Sequence, residues 1–173
     1  MILKGELDSF LLQPKDVCIN VLAARTEVSA WGDLVYGIVL YLMVQGFILP
    51  KFLLFCTFII ASGLLMGSIM FSAESLTFFL GNATAISRLV TEFLISSTLY
   101  PEGIYRGAVR LVIYSLIPAG FIVFTPLRIW KFFSWKSLGF LILIDLMYVA
   151  GSYFLFKLGL KRYESGNLIV SKL

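Results

Sequence analysis

The sequence predicts an all-α integral membrane protein: a helical bundle of about four spans, or of three spans plus a re-entrant helical hairpin. Three observations predict it. Sixty per cent of the 173 residues are hydrophobic and 14% are charged, whereas a soluble domain carries about a quarter charged residues. The mean hydropathy is +0.95. The apolar residues fall in long runs, and a chain this short cannot hide so much apolar surface in one globular core. Lipid is the remaining solvent.

Residues 1–33 are the most polar stretch and are predicted to stay outside the bilayer. Leu7, Phe10 and Leu11 fall at helical spacing while Glu6 and Asp8 point elsewhere, and Pro14 ends the element. A second short helix is expected over 15–25, with Val17, Val21 and Leu22 on one face. Residues 34–173 form the membrane domain. The first apolar run, 34–49, reaches about 24 Å against a hydrocarbon core of about 30 Å. Its span therefore starts near Ser29 and covers about 29–49, with Trp31 and Asp33 at headgroup level. Pro50-Lys51 reads as a tight turn into a second span, 52–73, which carries no charge. Its Gly63-x-x-x-Gly67 pattern predicts close helix packing.

Glu74 and Ser75 interrupt the apolar sequence. A third span over 76–99 is expected to break near Gly81-Asn82, and its Arg88 and Glu92 should face protein rather than lipid. Asn82-Ala83-Thr84 fits a glycosylation acceptor, though its place beside a membrane helix argues against use. Residues 100–107 form a loop. The run that follows contains Pro118, Gly120 and Pro126, and each proline removes a backbone hydrogen bond. Two short helices forming a re-entrant hairpin over about 108–130 satisfy that pattern, if protein covers them. A last span, 138–158, ends at Lys157, Lys161 and Arg162. The positive-inside rule leaves the hairpin and a full crossing equal, with three basic residues inside in either case. The two prolines favour the hairpin.

Several chemistries are excluded. The formal net charge is +4, but the basic residues stand singly at the edges of apolar runs, which is membrane usage and not a nucleic-acid face. There is no histidine, so Ser-His-Asp triads, Cys-His dyads and the usual zinc sites are absent, and two cysteines make no disulfide framework. No GxxxxGK[ST] phosphate loop occurs. No catalytic or metal-binding residue is predicted. Three ionisable residues lie deep in apolar runs. Arg88 and Glu92 are four apart and share a helix face, either as a self-neutralised pair or lining a cavity. Asp145 stands alone in Leu141-Ile142-Leu143-Ile144-Asp145-Leu146-Met147 and needs a partner or water.

The order of motifs is that of a known family. Gly5-Glu6-Leu7-Asp8-Ser9-Phe10-Leu11-Leu12-Gln13-Pro14 resembles the GELD-x-x-LL-x-P segment of type-2 ATP-binding-cassette permeases, specifically the short bacterial permeases that work beside a separate ATPase. Ala30-Trp31-Gly32-Asp33-Leu34 is similar to that branch's ALGDL step into the membrane. Tyr100-Pro101-x-x-Ile104-Tyr105 and the closing Gly159-Leu160-Lys161-Arg162-Tyr163-Glu164-Ser165 match as well. Such permeases have two further membrane helices before the GELD segment, so by this resemblance the chain is N-terminally truncated.

The resemblance implies a membrane-spanning exporter subunit of the bacterial inner membrane, multi-pass and dimeric with a second permease copy or homologue. A cytoplasmic ABC ATPase would hold the ATP and magnesium, leaving no cofactor on this chain. It also implies that Glu6, Asp8, Leu11 and Pro14 couple to that ATPase. Arg88, Glu92 and Asp145 are the candidates for the substrate pathway, and Gly63 and Gly67 for helix packing. Two alternatives stand beside this reading: a membrane-embedded enzyme using Glu92 and Asp145, and a non-transporting permease remnant or scaffold.

Overall fold

The computed structural model describes residues 8–14, 16–23 and 28–163. Every regular element among them is helical. Two short helices, α1 (Asp8–Leu11) and α2 (Val17–Ala23), precede α3 (Val28–Gln45) and α4 (Leu49–Ser75). Then come α5 (Thr77–Leu80), α6 (Thr84–Leu99), a 3₁₀ turn (Glu102–Ile104) and α7 (Gly107–Tyr114). A π-helical turn (Gly120–Phe124) leads into α8 (Thr125–Lys131), and α9 (Trp135–Leu160) closes the chain. The stretch Leu49–Leu80 and α9 are both long and apolar enough to cross a membrane.

The core forms where α4 and α9 lie side by side, the most extensive contact in the molecule. Phe58, Ala61, Leu65, Ile69 and Ala73 recur at three- and four-residue spacing along α4, and Leu141, Asp145, Ser152 and Phe156 recur at four- and seven-residue spacing along α9. Each set forms one helical stripe, and the stripes face each other. Both helices run the same way: Lys51 and Trp135 line one cavity at their starts, and Phe71 packs against Phe156 (centroids 4.9 Å apart, rings tilted by 31°) towards their ends. Gly159 lets α9 approach α5, because a Cβ there would overlap the Phe78 ring.

The turn between α3 and α4 differs from expectation. Pro50 and Lys51 belong to the first turn of α4, and the chain reverses at Gly46, whose φ of +64° an L side chain rarely adopts. Proline suits the first turn because its missing N–H has no partner to lose there. Tyr41 of α3 stacks on Phe55 of α4 (centroids 4.4 Å apart) and meets Trp130 edge-on. The break expected near Gly81-Asn82 is present: Gly81 (φ +74°) ends α5, and Asn82 Oδ1 accepts the Thr84 N–H at 3.1 Å to start α6.

Residues 107–131 fold as a hairpin. Arg110 on α7 and Arg128 on α8 are eighteen positions apart in the sequence, yet both reach the Glu102 carboxylate, at 3.2 and 2.8 Å. A continuous helix would separate them by about 27 Å. The hairpin's interrupted backbone is satisfied by the long helices beside it. Ser62 Oγ of α4 donates to the Ile122 carbonyl at 2.7 Å, and the Tyr148 hydroxyl of α9 donates to the Ser115 carbonyl at the tip. Ser62 and Tyr148 both lie near the middle of their helices, so the tip reaches mid-length of the bundle.

In α2, Cys18 is buried and Val17 and Val21 are half-buried. Leu22, expected on that same face, is 58% exposed. Gly63 and Gly67 stand open: a Cβ built on either meets nothing within 4 Å, so no helix among the described residues packs closely there. Both glycines lie on the exposed side of α4, opposite the stripe that meets α9.

Candidate functional site

The polar side chains gather at three levels of an apolar bundle. At one end stands Asp16, immediately before α2. Its Oδ1 accepts the Cys18 N–H at 2.9 Å, the bond expected of a helix N-cap. Its Oδ2 accepts Lys157 Nζ at 2.8 Å and the Tyr153 hydroxyl at 3.1 Å, both from the end of α9. One carboxylate thus joins the N-terminal segment to the last helix. The Lys157 contact is the chief reason its pKa lies below the ordinary carboxylate value.

At the opposite end Glu102 is the hub. It accepts from Tyr114 (2.8 Å), Arg110 (3.2 Å) and both ways from Arg128 (2.8 and 2.9 Å). Burial pushes its carboxyl upward, but the bonds from Tyr114 and Arg128 and the nearby guanidinium charges outweigh it and hold the group below the ordinary glutamate value. The hub clamps the open end of the hairpin. Gly120 brings the two arms together, since a Cβ there would lie 2.6 Å from the Tyr114 ring.

Between the two ends lie the deep ionisable residues. Arg88 Nε meets Glu92 Oε1 at 2.9 Å on α6, and these side chains are 79% and 57% exposed. Asp145 is 5% exposed, on the α9 face that meets α4. It borders a cavity of about 210 Å³ with Thr57, Ala61 and Leu64, and its Oδ1 finds no hydrogen-bond partner among the described residues.

A family model described as "ABC-2 family transporter protein" matches residues 1–166. The chain belongs to the ABC-2 transporter family. No curated protein and no solved structure matches it. As an ABC-2 family member it is a membrane protein and a permease subunit of an ABC transporter, and permeases of this family typically work with an ATPase partner.

Within this permease the expected site residues separate. Glu6 lies outside the described residues. Asp8 opens α1, Leu11 ends it 43% exposed, and Pro14 is exposed beyond it. Arg88 and Glu92 pair with each other, while Asp145 borders the α4–α9 cavity and no hydrogen bond or ion pair joins it to either. The carboxylates that a membrane-embedded enzyme would combine therefore belong to separate places. The sequence assigns no site role to Asp16, Lys157, Glu102, Arg110, Arg128 and Ser62. Only Asp16 carried a local signal, as an Asp opening an apolar helix. The others acquire their meaning from partners distant in the chain.

Proposed function

We propose that this permease is the membrane half of an exporter, driven by ATP hydrolysed on a separate cytoplasmic subunit and paired with a second permease in a bacterial inner membrane. In this reading α3, α4, α5–α6 and α9 cross the bilayer. The α7–α8 hairpin enters from the outer face and returns to it. The segment that carries α1 and α2 lies in the cytoplasm, with Asp16 and α2 against the end of α9. The hairpin's depth supports this topology, because its exposed carbonyls are answered by Ser62 and Tyr148 at mid-length of the long helices. Broken backbone at membrane depth is tolerated only where protein or enclosed water satisfies it.

The observation that carries the coupling is Asp16. An ATPase that binds Glu6, Asp8, Leu11 and Pro14 moves a segment whose next carboxylate holds the end of α9 through Lys157 and Tyr153. ATP then works by favouring one arrangement of the permease pair over the other. Arg88 and Glu92 support the pairing. Exposed charges on a helix within the hydrocarbon region call for protein or water as cover, and a second permease enclosing a pathway supplies both. The open Gly63/Gly67 face of α4 is available to the same partner.

The test is purification of the tagged full chain from native membranes in mild detergent. A stoichiometric ATPase should co-purify and should be lost when Glu6→Lys and Asp8→Lys are combined. A folded preparation without any ATPase would overturn the reading.

A further inference from the structure

We propose that the pocket between the hairpin and the start of α9 binds a net-anionic phospholipid. The pocket measures about 830 Å³ and is open to one side. Arg110, Arg128 and Lys136 supply its charge, and Phe121, Phe132 and Phe140 supply apolar wall. Volumes of about 300–1,000 Å³ are usual for ligand sites. A cationic group of side chains beside an aromatic wall is the complement of an anionic headgroup attached to an acyl chain.

Burial shows which way the charges are presented. The Glu102 side chain is 27% exposed, whereas those of Arg110 and Arg128 are 58% and 56% exposed. The carboxylate is therefore more covered than the two guanidiniums it holds, and both arginines line the pocket. A guanidinium has five N–H donors in a planar fork that suits phosphate oxygens. Lys136 makes no hydrogen bond or ion pair among the described residues.

The charge balance of this end points the same way. Lys51, Arg106, Arg110, Arg128, Lys131 and Lys136 gather here, and Glu102 is the acidic residue among them. In the topology proposed above this end faces outward, where the positive-inside rule disfavours basic residues. Cations kept there against that preference call for an anionic counterpart, and the outer-leaflet headgroup layer provides one at the depth of the pocket mouth. The choice of leaflet rests on that topology, but the binding itself does not.

The test uses the purified full chain in neutral detergent and native mass spectrometry. Phosphatidylglycerol, phosphatidylcholine with the same acyl chains, and inorganic phosphate are added separately. Phosphatidylglycerol should bind about tenfold more tightly than phosphatidylcholine. Lys136→Gln should weaken it about fivefold, as expected for the loss of one charged contact, with phosphatidylcholine binding and the thermal midpoint unchanged. Lys161→Gln, at the other end of α9, should leave it unaffected. Equal binding of the two lipids, or indifference to Lys136→Gln, would overturn the site. Inorganic phosphate that binds as tightly as the lipid would replace it with an ion site. None of these readouts requires an ATPase, so failure here leaves the coupling proposal standing.

Discussion

Ser62 Oγ donates a 2.7 Å hydrogen bond to the carbonyl of Ile122, the residue four before Pro126. A proline has no N–H to offer the carbonyl four residues back. The hydroxyl of a neighbouring helix replaces the missing donor, so α4 supports the bend that shapes the hairpin. Ser62→Ala should lower stability by about 1–3 kcal/mol, the range for a buried acceptor left unsatisfied. Pro126→Ala restores the local N–H, so the cost of Ser62→Ala should shrink in that background. Thermal unfolding of the four proteins in detergent measures the coupling, and additivity would reject the relationship.

Gly159 faces the Phe78 ring with no space for a methyl group. The overlapping atoms include Phe78 Cβ and Cγ, which lie next to the backbone and yield little. Gly159→Ala should therefore destabilise the α5–α9 contact by about 1–3 kcal/mol, as overpacking does. Phe78→Ala should suppress that effect while carrying its own cost. Melting temperatures of the single and double variants separate strain from a loss of flexibility.

Asp145 is a buried carboxyl with an unanswered oxygen in an apolar setting. Asp145→Leu should leave stability unchanged or raise it by about 1–3 kcal/mol, since it removes an unsatisfied polar group. If the residue serves the pathway, transport by the assembled complex should fall although the protein is more stable. Full transport by a stabilised Asp145→Leu variant would remove it from the pathway.

Glu102 gives the hairpin a pH dependence. Its folded pKa lies below the ordinary glutamate value because hydrogen bonds and cationic neighbours favour the charged form. The stability it contributes is complete above that ordinary value and is lost as pH falls through the lower folded value. Wild-type protein should lose thermal stability across that acidic window. Glu102→Gln should be less stable at neutral pH and should lack this part of the acid-induced loss.

Asp16 and Lys157 should behave as a transmission joint. Asp16→Lys or Lys157→Asp alone should reduce transport several-fold while the ATPase still binds, because the coupling segment no longer holds α9. The double exchange should restore a large part of it. Transport per ATP hydrolysed in reconstituted vesicles is the measurement, and undiminished coupling in both single variants would dismiss the joint.

Much of the architecture was legible because lipid imposes strict rules on sequence. Uncharged runs must be helical, Gly81-Asn82 must interrupt one, and Pro118 with Pro126 must break another. The observed start of α4 at Leu49 lies three residues before the expected 52, because Pro50 marks a turn in the sequence pattern while the first turn of a helix also accepts it. Arg88 and Glu92 were legible as a pair because four residues along a helix make one turn. The Gly63/Gly67 face was legible as a small-residue pattern. That no helix among the described residues occupies it is a property of packing.

By itself, then, the sequence determined a helical membrane chain of the ABC-2 type, with its breaks and its deep charges. These follow from local composition and from the need of each backbone group for a partner. Only the tertiary structure decided that residues 107–131 turn back beside the middles of α4 and α9 and that Ser62 and Tyr148 answer their open carbonyls. It also decided that Glu102 gathers Arg110 and Arg128 and that Asp16 holds Lys157. Those contacts join residues 8 to 141 positions apart. No local pattern encodes them, because each depends on which helix faces of an apolar chain come to lie together.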